Sequence, residues 1–124
     1  TGGTMTSDGV KMAVETIKAK YEPAVFNIYL AHASDGDNWA EDNIETSDVV
    51  ENRLLPMLQY YAYVQIDPSE SQPPKMSEGG DGLWNVFAPI SERTRRLTST
   101  YVSQTADIYP AFKELFGKKS SKQI

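Results

Sequence analysis

The sequence contains no cysteine and only one histidine. The absence of cysteine excludes disulfides, thiolate nucleophiles and cysteine-based zinc sites, and it fits a cytoplasmic setting. No apolar run approaches the roughly 18 residues of a membrane-spanning helix. Basic residues are also scarce, since 12 Lys and Arg stand against 17 Asp and Glu. We therefore expect neither a membrane nor a nucleic-acid partner, because binding phosphates through bulk charge needs clustered Lys and Arg.

What remains is an ordinary globular composition. The 124 residues are 40% hydrophobic and 23% charged, which fits one folded domain with a core of its own. The chain opens at Thr1 in a glycine-rich stretch that reads as a loop. We therefore expect residues 1–124 to be a part of a larger domain.

Hydrophobic periodicity and turn residues predict the order α-β-α-β-α-β-α. The expected elements are a helix capped by Thr6 or Ser7 that ends near Lys20, a strand over 25–33, a helix from about Ser47 that Pro56 kinks or ends, a strand over 61–66, a helix capped by Asp81, a weaker strand over 100–103, and a helix from Asp107 that stops at Gly117.

Strands that alternate with helices predict a Rossmann-like α/β fold, with a mainly parallel sheet and helices on both faces. The strand over 25–33 is almost continuously apolar, so we expect it to be covered on both faces. Residues 67–82 are rich in Pro, Ser and Gly and are expected to form a flexible loop. The tail over 118–124 is basic, and we expect it to be frayed.

The strongest candidate for a site follows the first strand, as the stretch SDGDNW over 34–39. In open α/β sheets, ligands bind beyond the carboxyl ends of the strands. Asp35 can supply a carboxylate and Thr4 a hydroxyl, which are ligands suited to Mg²⁺. The alternative interpretation of the Asp-Gly-Asp-Asn run is a turn whose side chains cap its own backbone.

Three neighbouring features were each considered for a structural and a functional role. The acidic residues between Asp37 and Asp48 form either a solvated face or a negative surface for a cation or a basic partner. Trp39 is either a packing anchor or a recognition residue exposed in a polar loop. His32 is expected to be a packed, hydrogen-bonded histidine, because no second His or Cys is present to complete a catalytic triad or a zinc site.

Several stretches resemble the YeaH/YhbH family of uncharacterised bacterial proteins. They are TGGT at 1–4, FNIY at 26–29, ASDGDNW at 33–39 and DIYPAFKELF at 107–116. The resemblance covers nearly the whole chain and is weakest between Asp67 and Leu97. It implies that the chain is similar to the carboxyl-terminal part of a von Willebrand factor A domain, here a partial domain of about three strands.

The resemblance also implies a metal-ion-dependent adhesion site. Thr4 matches its threonine loop, and Ser34-Asp35-Gly36 matches its Ser-Asp-Gly loop. The Asp-x-Ser-x-Ser element does not occur in these residues, and the strand that bears it would precede Thr1. We therefore expect Mg²⁺ or Mn²⁺ to bind weakly, with Thr4 and Asp35 as ligands. Without that strand, the 25–33 strand has an unpaired apolar edge, so a homodimer through this edge is expected.

Three functions remain open. The first is a non-catalytic protein-interaction module, in which the metal accepts a partner's carboxylate beside Ser34, Asp37, Asn38 and Trp39. The resemblance suggests stress or sporulation signalling with a PrkA-type serine protein kinase as its setting. The second is a Mg²⁺-dependent phosphoryl-transfer or hydrolytic enzyme that uses Asp35 and Asp37. The third is a scaffold whose site has lost its function.

Overall fold

A computed structural model describes residues 5–66 and 82–121, and side chains up to residue 117. The predicted alternation of helices and strands is confirmed. The elements are α1 (Thr6–Lys20), β1 (Tyr29–Ser34), α2 (Ala40–Val49), β2 (Tyr60–Ile66), α3 (Trp84–Arg93), β3 (Leu97–Val102) and α4 (Ile108–Ser121). Thr4, Asp81, residues 122–124 and nearly all of the predicted 67–82 loop lie outside the described residues.

The strands form one parallel sheet in the order β1-β2-β3. Ala31 of β1 lies beside Ala62 of β2, which lies beside Thr98 of β3. The fold class is α/β, as predicted, and the arrangement is that of a partial Rossmann-like domain. Parallel strands need a crossover between them, and α2 and α3 supply the two crossovers.

The helices cover the two faces of the sheet unequally. On one face, α1, α2 and α3 bury a continuous apolar core with side chains of β2 and β3 such as Tyr61, Tyr63 and Leu97. On the other face lies α4, whose Phe116 contacts the rings of Tyr29 and Tyr60 edge-on. The main core therefore lies between the sheet and the first three helices.

The first strand differs from its prediction in position and in burial. It begins at Tyr29, because residues 22–26 form a turn in which Glu22 O accepts the N–H groups of Val25 and Phe26. Along β1, exposed residues alternate with half-buried ones. The expectation that both faces are covered is therefore wrong. The physical reason is that β1 lies at the edge of the described sheet, where α4 packs mainly against β2.

The second helix begins at Ala40, seven residues before its predicted start. Apolar periodicity missed this segment because two of its three buried residues, Asp42 and Thr46, are polar. The helix continues as a π-helical turn over Val50–Leu54 and a 3₁₀ turn over Leu55–Met57. Pro56 lies in that last turn and ends the helix as predicted, because it has no N–H to continue the ladder.

The predicted ends of three further elements also differ from the structure. Met5 holds the cap position of α1, and no side chain of its own segment caps it, so the predicted cap by Thr6 or Ser7 is wrong. The last helix runs past Gly117, which lacks the positive φ of a glycine stop signal. The third strand starts at Leu97, three residues before its predicted start, and ends one residue early.

Candidate functional site

The loop over 35–39 continues directly from β1 at the carboxyl end of the sheet. Its turn depends on Gly36, whose φ is +89° and whose N–H donates to Ser34 Oγ at 3.0 Å. The Gly36 carbonyl accepts the N–H of Leu83 at 2.7 Å, which fastens the loop to the start of α3. A Cβ at Gly36 would lie 2.6 Å from the end of the Gln65 side chain, so a larger residue would also displace that side chain.

Three side chains of this loop point away from the fold. Asp35 and Asp37 are both exposed, and Asp35 Oδ1 accepts the N–H of Asp37 at 3.0 Å. Trp39 is the residue before α2, and 52% of its surface is exposed. The loop therefore presents two carboxylates and a large aromatic ring on a backbone that hydrogen bonds hold in place.

A buried carboxylate lies directly behind the exposed loop. Asp42, in the first turn of α2, is only 4% exposed. Its oxygens accept hydrogen bonds from the backbone N–H and the hydroxyl of Ser7, from Asn38 Nδ2 at 3.0 Å and from Thr46 Oγ1 at 3.1 Å. Burial alone would raise the pKa of this carboxyl, but the hydrogen bonds from Ser7, Asn38 and Thr46 outweigh it and lower the pKa below its ordinary value.

Asn38 completes the connection between α1 and α2. Its Oδ1 accepts the N–H of Thr6 at 3.2 Å, and its Nδ2 also donates to Asn43 Oδ1 at 2.8 Å. Asn43 in turn donates to the Gly82 carbonyl at 3.4 Å. The N-termini of α1, α2 and α3 thus meet behind the loop, and side chains of the loop and of α2 satisfy N–H groups that α1 leaves free at its start.

His32 is packed inside the sheet's main face and is not part of the loop. Its Nδ1 lies 2.7 Å from the Tyr61 hydroxyl, and its ring contacts Tyr63 and Phe87 edge-on. Burial lowers the pKa of His32 to about 4, so the ring is neutral at physiological pH. Burial also raises the pKa values of Tyr61 and Tyr63. This geometry agrees with a packed, hydrogen-bonded histidine.

Five of the six predicted site residues are neighbours in the sequence, from Ser34 to Trp39, and they lie at the end of β1 and in the loop that follows it. The sixth, Thr4, lies outside the described residues, two positions before Thr6. In the ranges 5–66 and 82–121, no three His, Cys, Asp or Glu side chains group together as a ready metal site. Sequence reasoning missed Ser7, Asp42 and Thr46. The spacing of Asp42 and Thr46, one helical turn apart, is the available signal for them.

Comparison with known proteins identifies the family. Residues 1–119 match the model of the family described as "Protein of unknown function (DUF444)", and the chain belongs to that family. It is 38% identical over 120 residues to a "UPF0229 protein" of Legionella pneumophila strain Corby, and 36% identical over 121 residues to a "UPF0229 protein" of Serratia proteamaculans. These alignments cover 97% and 98% of this chain but 26% of each relative.

The chain therefore spans about a quarter of the length of the curated relatives it matches. The family assignment agrees with the resemblance to uncharacterised bacterial proteins drawn from the motifs above. No solved structure matches the chain. Among the helices in the described ranges, none combines the length and the apolar character needed to cross a membrane.

Proposed function

We propose that this chain is a non-catalytic protein-interaction module whose contact surface is the 35–39 loop. The proposal depends on the observation that the side chains of this loop have two different environments. The Asn38 side chain forms hydrogen bonds with both α1 and α2. Asp35, Asp37 and Trp39 are instead exposed on the same loop. Exposed carboxylates and an aromatic ring on a fixed backbone suit the recognition of a partner protein.

In this proposal a divalent cation, Mg²⁺ or Mn²⁺, assists the contact. Asp35 is exposed, and a carboxylate oxygen is a ligand that hard cations prefer. The described residues fit such an ion only in part, because they offer it one loop carboxylate with Asp37 nearby. Thr4, water and other parts of the whole protein would complete the coordination, as in the von Willebrand factor A-like domain that the sequence resembles. Weak metal binding by the isolated chain follows from this donor set.

The cellular setting in the proposal comes from the family resemblance. It is stress or sporulation signalling in the bacterial cytoplasm, with a PrkA-type serine protein kinase as the candidate partner. The lack of cysteine supports an intracellular setting. The acids Glu41 and Asp48, exposed on α2, would favour a partner with basic groups at the rim of the contact, whereas Glu45 is paired with Lys11.

The test uses the full-length protein that carries this chain. Mg²⁺ and Mn²⁺ are titrated by calorimetry, and binding to the purified kinase is measured with the metal and with a chelator. We expect metal-dependent kinase binding that Asp35→Ala abolishes and Trp39→Ala weakens. Glu92→Ala is the matched control, since Glu92 is an exposed acid near the end of α3, away from the loop.

Three results would contradict the proposal. Kinase binding that is indifferent to both the metal and Asp35→Ala would remove the loop from the contact. Turnover of a generic phosphoester that Asp35→Ala and Asp37→Ala abolish would instead support the alternative, an Mg²⁺-dependent phosphoryl-transfer or hydrolytic enzyme. The absence of both metal binding and partner binding in the full-length protein would favour a scaffold whose site is no longer used.

A further inference from the structure

A groove of about 550 Å³ lies between the second half of β3 and the first half of α4. Four consecutive residues, Thr100 to Ser103, line its strand side. Neighbouring residues of a strand point to opposite faces of a sheet, so a groove lined by all four runs along the outer edge of β3. Its helical side carries the carboxylates of Asp107 and Glu114, and among the described residues no basic side chain lines it. The groove therefore joins an open strand edge to a negative wall.

The backbone groups on the outer edge of β3 can be assigned from its pairing with β2. Tyr61 N–H donates to the Arg96 carbonyl at 2.7 Å, so the backbone groups of Arg96 point towards β2. Successive residues of a strand point their backbone groups alternately to its two sides. The N–H and C=O groups of Leu97 and Ser99 therefore point away from β2. In the part of the chain that the structure describes, no strand lies beyond this edge.

The sequence of β3 lacks the features that usually keep an edge strand from pairing. Its 6 residues, LTSTYV, include no proline, no glycine and no charged residue. Most of them are β-branched or aromatic, which are the residue types that favour sheets. Natural proteins block exposed edges with proline, bulges and charged side chains, and an edge without them is a template for another strand. β3 is therefore a candidate for pairing with a strand of a partner.

The charges that flank β3 indicate what that partner is. Arg95 and Arg96 come directly before the strand, and Asp107 follows it after a short turn. The side chains of Arg96 and Asp107 are exposed, and neither forms an ion pair with another described residue. A second β3 that runs antiparallel would place its arginines beside the acidic end of the first strand. A parallel copy would instead place like charges side by side, which is unfavourable.

We propose that β3 pairs with the β3 of a second copy of this chain, antiparallel, about a two-fold axis that passes through Ser99 perpendicular to the sheet. Across this junction Ser99 lies beside Ser99, Leu97 beside Tyr101, and Thr98 beside Thr100. Threonine pairs and pairs of large apolar side chains stabilise neighbouring antiparallel strands. The two sheets become one continuous sheet, and the two 35–39 loops lie at its opposite ends. The inference does not depend on the proposed metal or kinase.

This register brings opposite charges together at both ends of the junction. Arg96 of each copy lies beside Val102 of the other, in the half of the strand that lines the groove with Asp107. The arginine side chain is long and flexible, so its guanidinium can enter the groove and bond to that carboxylate. The β1 edge, through which the sequence predicts a homodimer, offers no such match. The charged residues nearest to β1, Glu22 before it and Asp35 after it, are both acidic, so antiparallel pairing there would place acid beside acid.

Sedimentation velocity of the full-length protein over a range of concentrations tests the proposal. We expect a dimer whose dissociation constant Ser99→Pro raises at least about 100-fold, because proline removes the central outward N–H and its ring blocks the junction. The same substitution leaves the β2 ladder intact, since the backbone groups of Ser99 point away from β2. Ser99→Ala is the matched control, because it removes only the hydroxyl, keeps the N–H and should leave the dimer unchanged.

An exchange of charges tests the register without altering the strand. Arg96→Asp and Asp107→Arg should each raise the dissociation constant about tenfold, since each turns two symmetry-related attractions into repulsions. The double variant should restore it to within about threefold of the original value. Lys18→Asp is the control for net charge, because Lys18 is exposed near the end of α1 and away from β3. Both exchanged residues are exposed and lie outside β3, so this test holds even where Ser99→Pro weakens the fold.

Three outcomes would overturn the proposal. The first is a full-length protein that stays monomeric at every concentration; slow amide exchange at Ser99 in that monomer would assign the edge to another segment of the same protein. The second is a dimer that Ser99→Pro and both charge variants leave unchanged, which would assign the contact to another surface. The third is a double charge variant that associates no better than the single ones, which would reject the pairing of Arg96 with Asp107.

Discussion

β1 and β2 are neighbouring parallel strands in register, and both come from apolar stretches of sequence, yet their environments differ. All but the last residue of β2 are buried, whereas β1 alternates between exposed and half-buried residues. Ala31 and Ala62 are the same residue type side by side on one face, and only Ala62 is fully buried. The difference shows that position in the sheet decides burial, because a central strand has a neighbour on each side and an edge strand has one.

The sharpest test of this difference is one substitution at the two paired alanines. Ala62→Lys should cost more than about 5 kcal/mol of unfolding free energy, because it buries an unpaired ammonium group. Ala31→Lys in the isolated chain should change stability by less than about 0.5 kcal/mol, as exposed substitutions usually do. Urea unfolding of both variants measures the two values. Equal losses would mean that β1 is covered as fully as β2.

A second pair lies at the start of the two strands. Tyr60 is 4% exposed and Tyr29 is 37% exposed, and both rings contact Phe116. Tyr60→Ala should destabilise the chain by about 3–4 kcal/mol through lost burial and the cavity it leaves. Tyr29→Ala should cost about 1 kcal/mol, the size of one aromatic contact. Thermal and urea unfolding together check the ratio, and a larger loss at Tyr29 would contradict the edge position of β1.

The turn after β1 tests how closely the ends of the two strands approach each other. Gly36→Ala should cost roughly 2–3 kcal/mol, from a side chain in left-handed backbone and displacement of the buried Gln65. That displacement breaks the hydrogen bond from the Tyr63 hydroxyl to Gln65 Oε1. Gly9→Ala is the control, because its Cβ has open space, and it should stabilise α1 by about 1 kcal/mol. A neutral Gly36→Ala would show that the loop relaxes freely.

The smallest effect concerns His32, the polar side chain that β1 packs against β2. Its pKa is about 4 when folded and near 6.5 as an ordinary histidine, so the unfolded chain binds the extra proton between these values. The contribution of the neutral His32 ring to the free energy of unfolding is therefore complete above about pH 6.5 and is lost as the pH falls. About 2 kcal/mol should disappear between pH 7.5 and pH 5. Urea unfolding at several pH values measures it, and His32→Gln should flatten that part of the profile; an unchanged slope would contradict the burial of His32.

The site shows which signals a sequence carries and which it does not. The SDGDNW stretch was recognisable because a polar loop follows an apolar strand, and such loops lie at the carboxyl end of a parallel sheet. The start of α2 was missed because Asp42 and Thr46 occupy its buried positions. The buried carboxylate of Asp42 is recognisable only in the structure, because its hydrogen-bond donors are not adjacent to it in the sequence. Ser7 is distant in the chain, and Asn38 lies in the adjoining loop.

The sequence by itself determined the class and order of the elements, since alternating strand and helix patterns and Pro56 act locally. It also determined where the exposed carboxylates lie, because turn chemistry is local as well. Only the tertiary structure decided that β1 lies at the edge of the described sheet and that Asp42 belongs to the interior. Both depend on contacts between residues far apart in the chain, and no local pattern of hydrophobicity encodes such contacts.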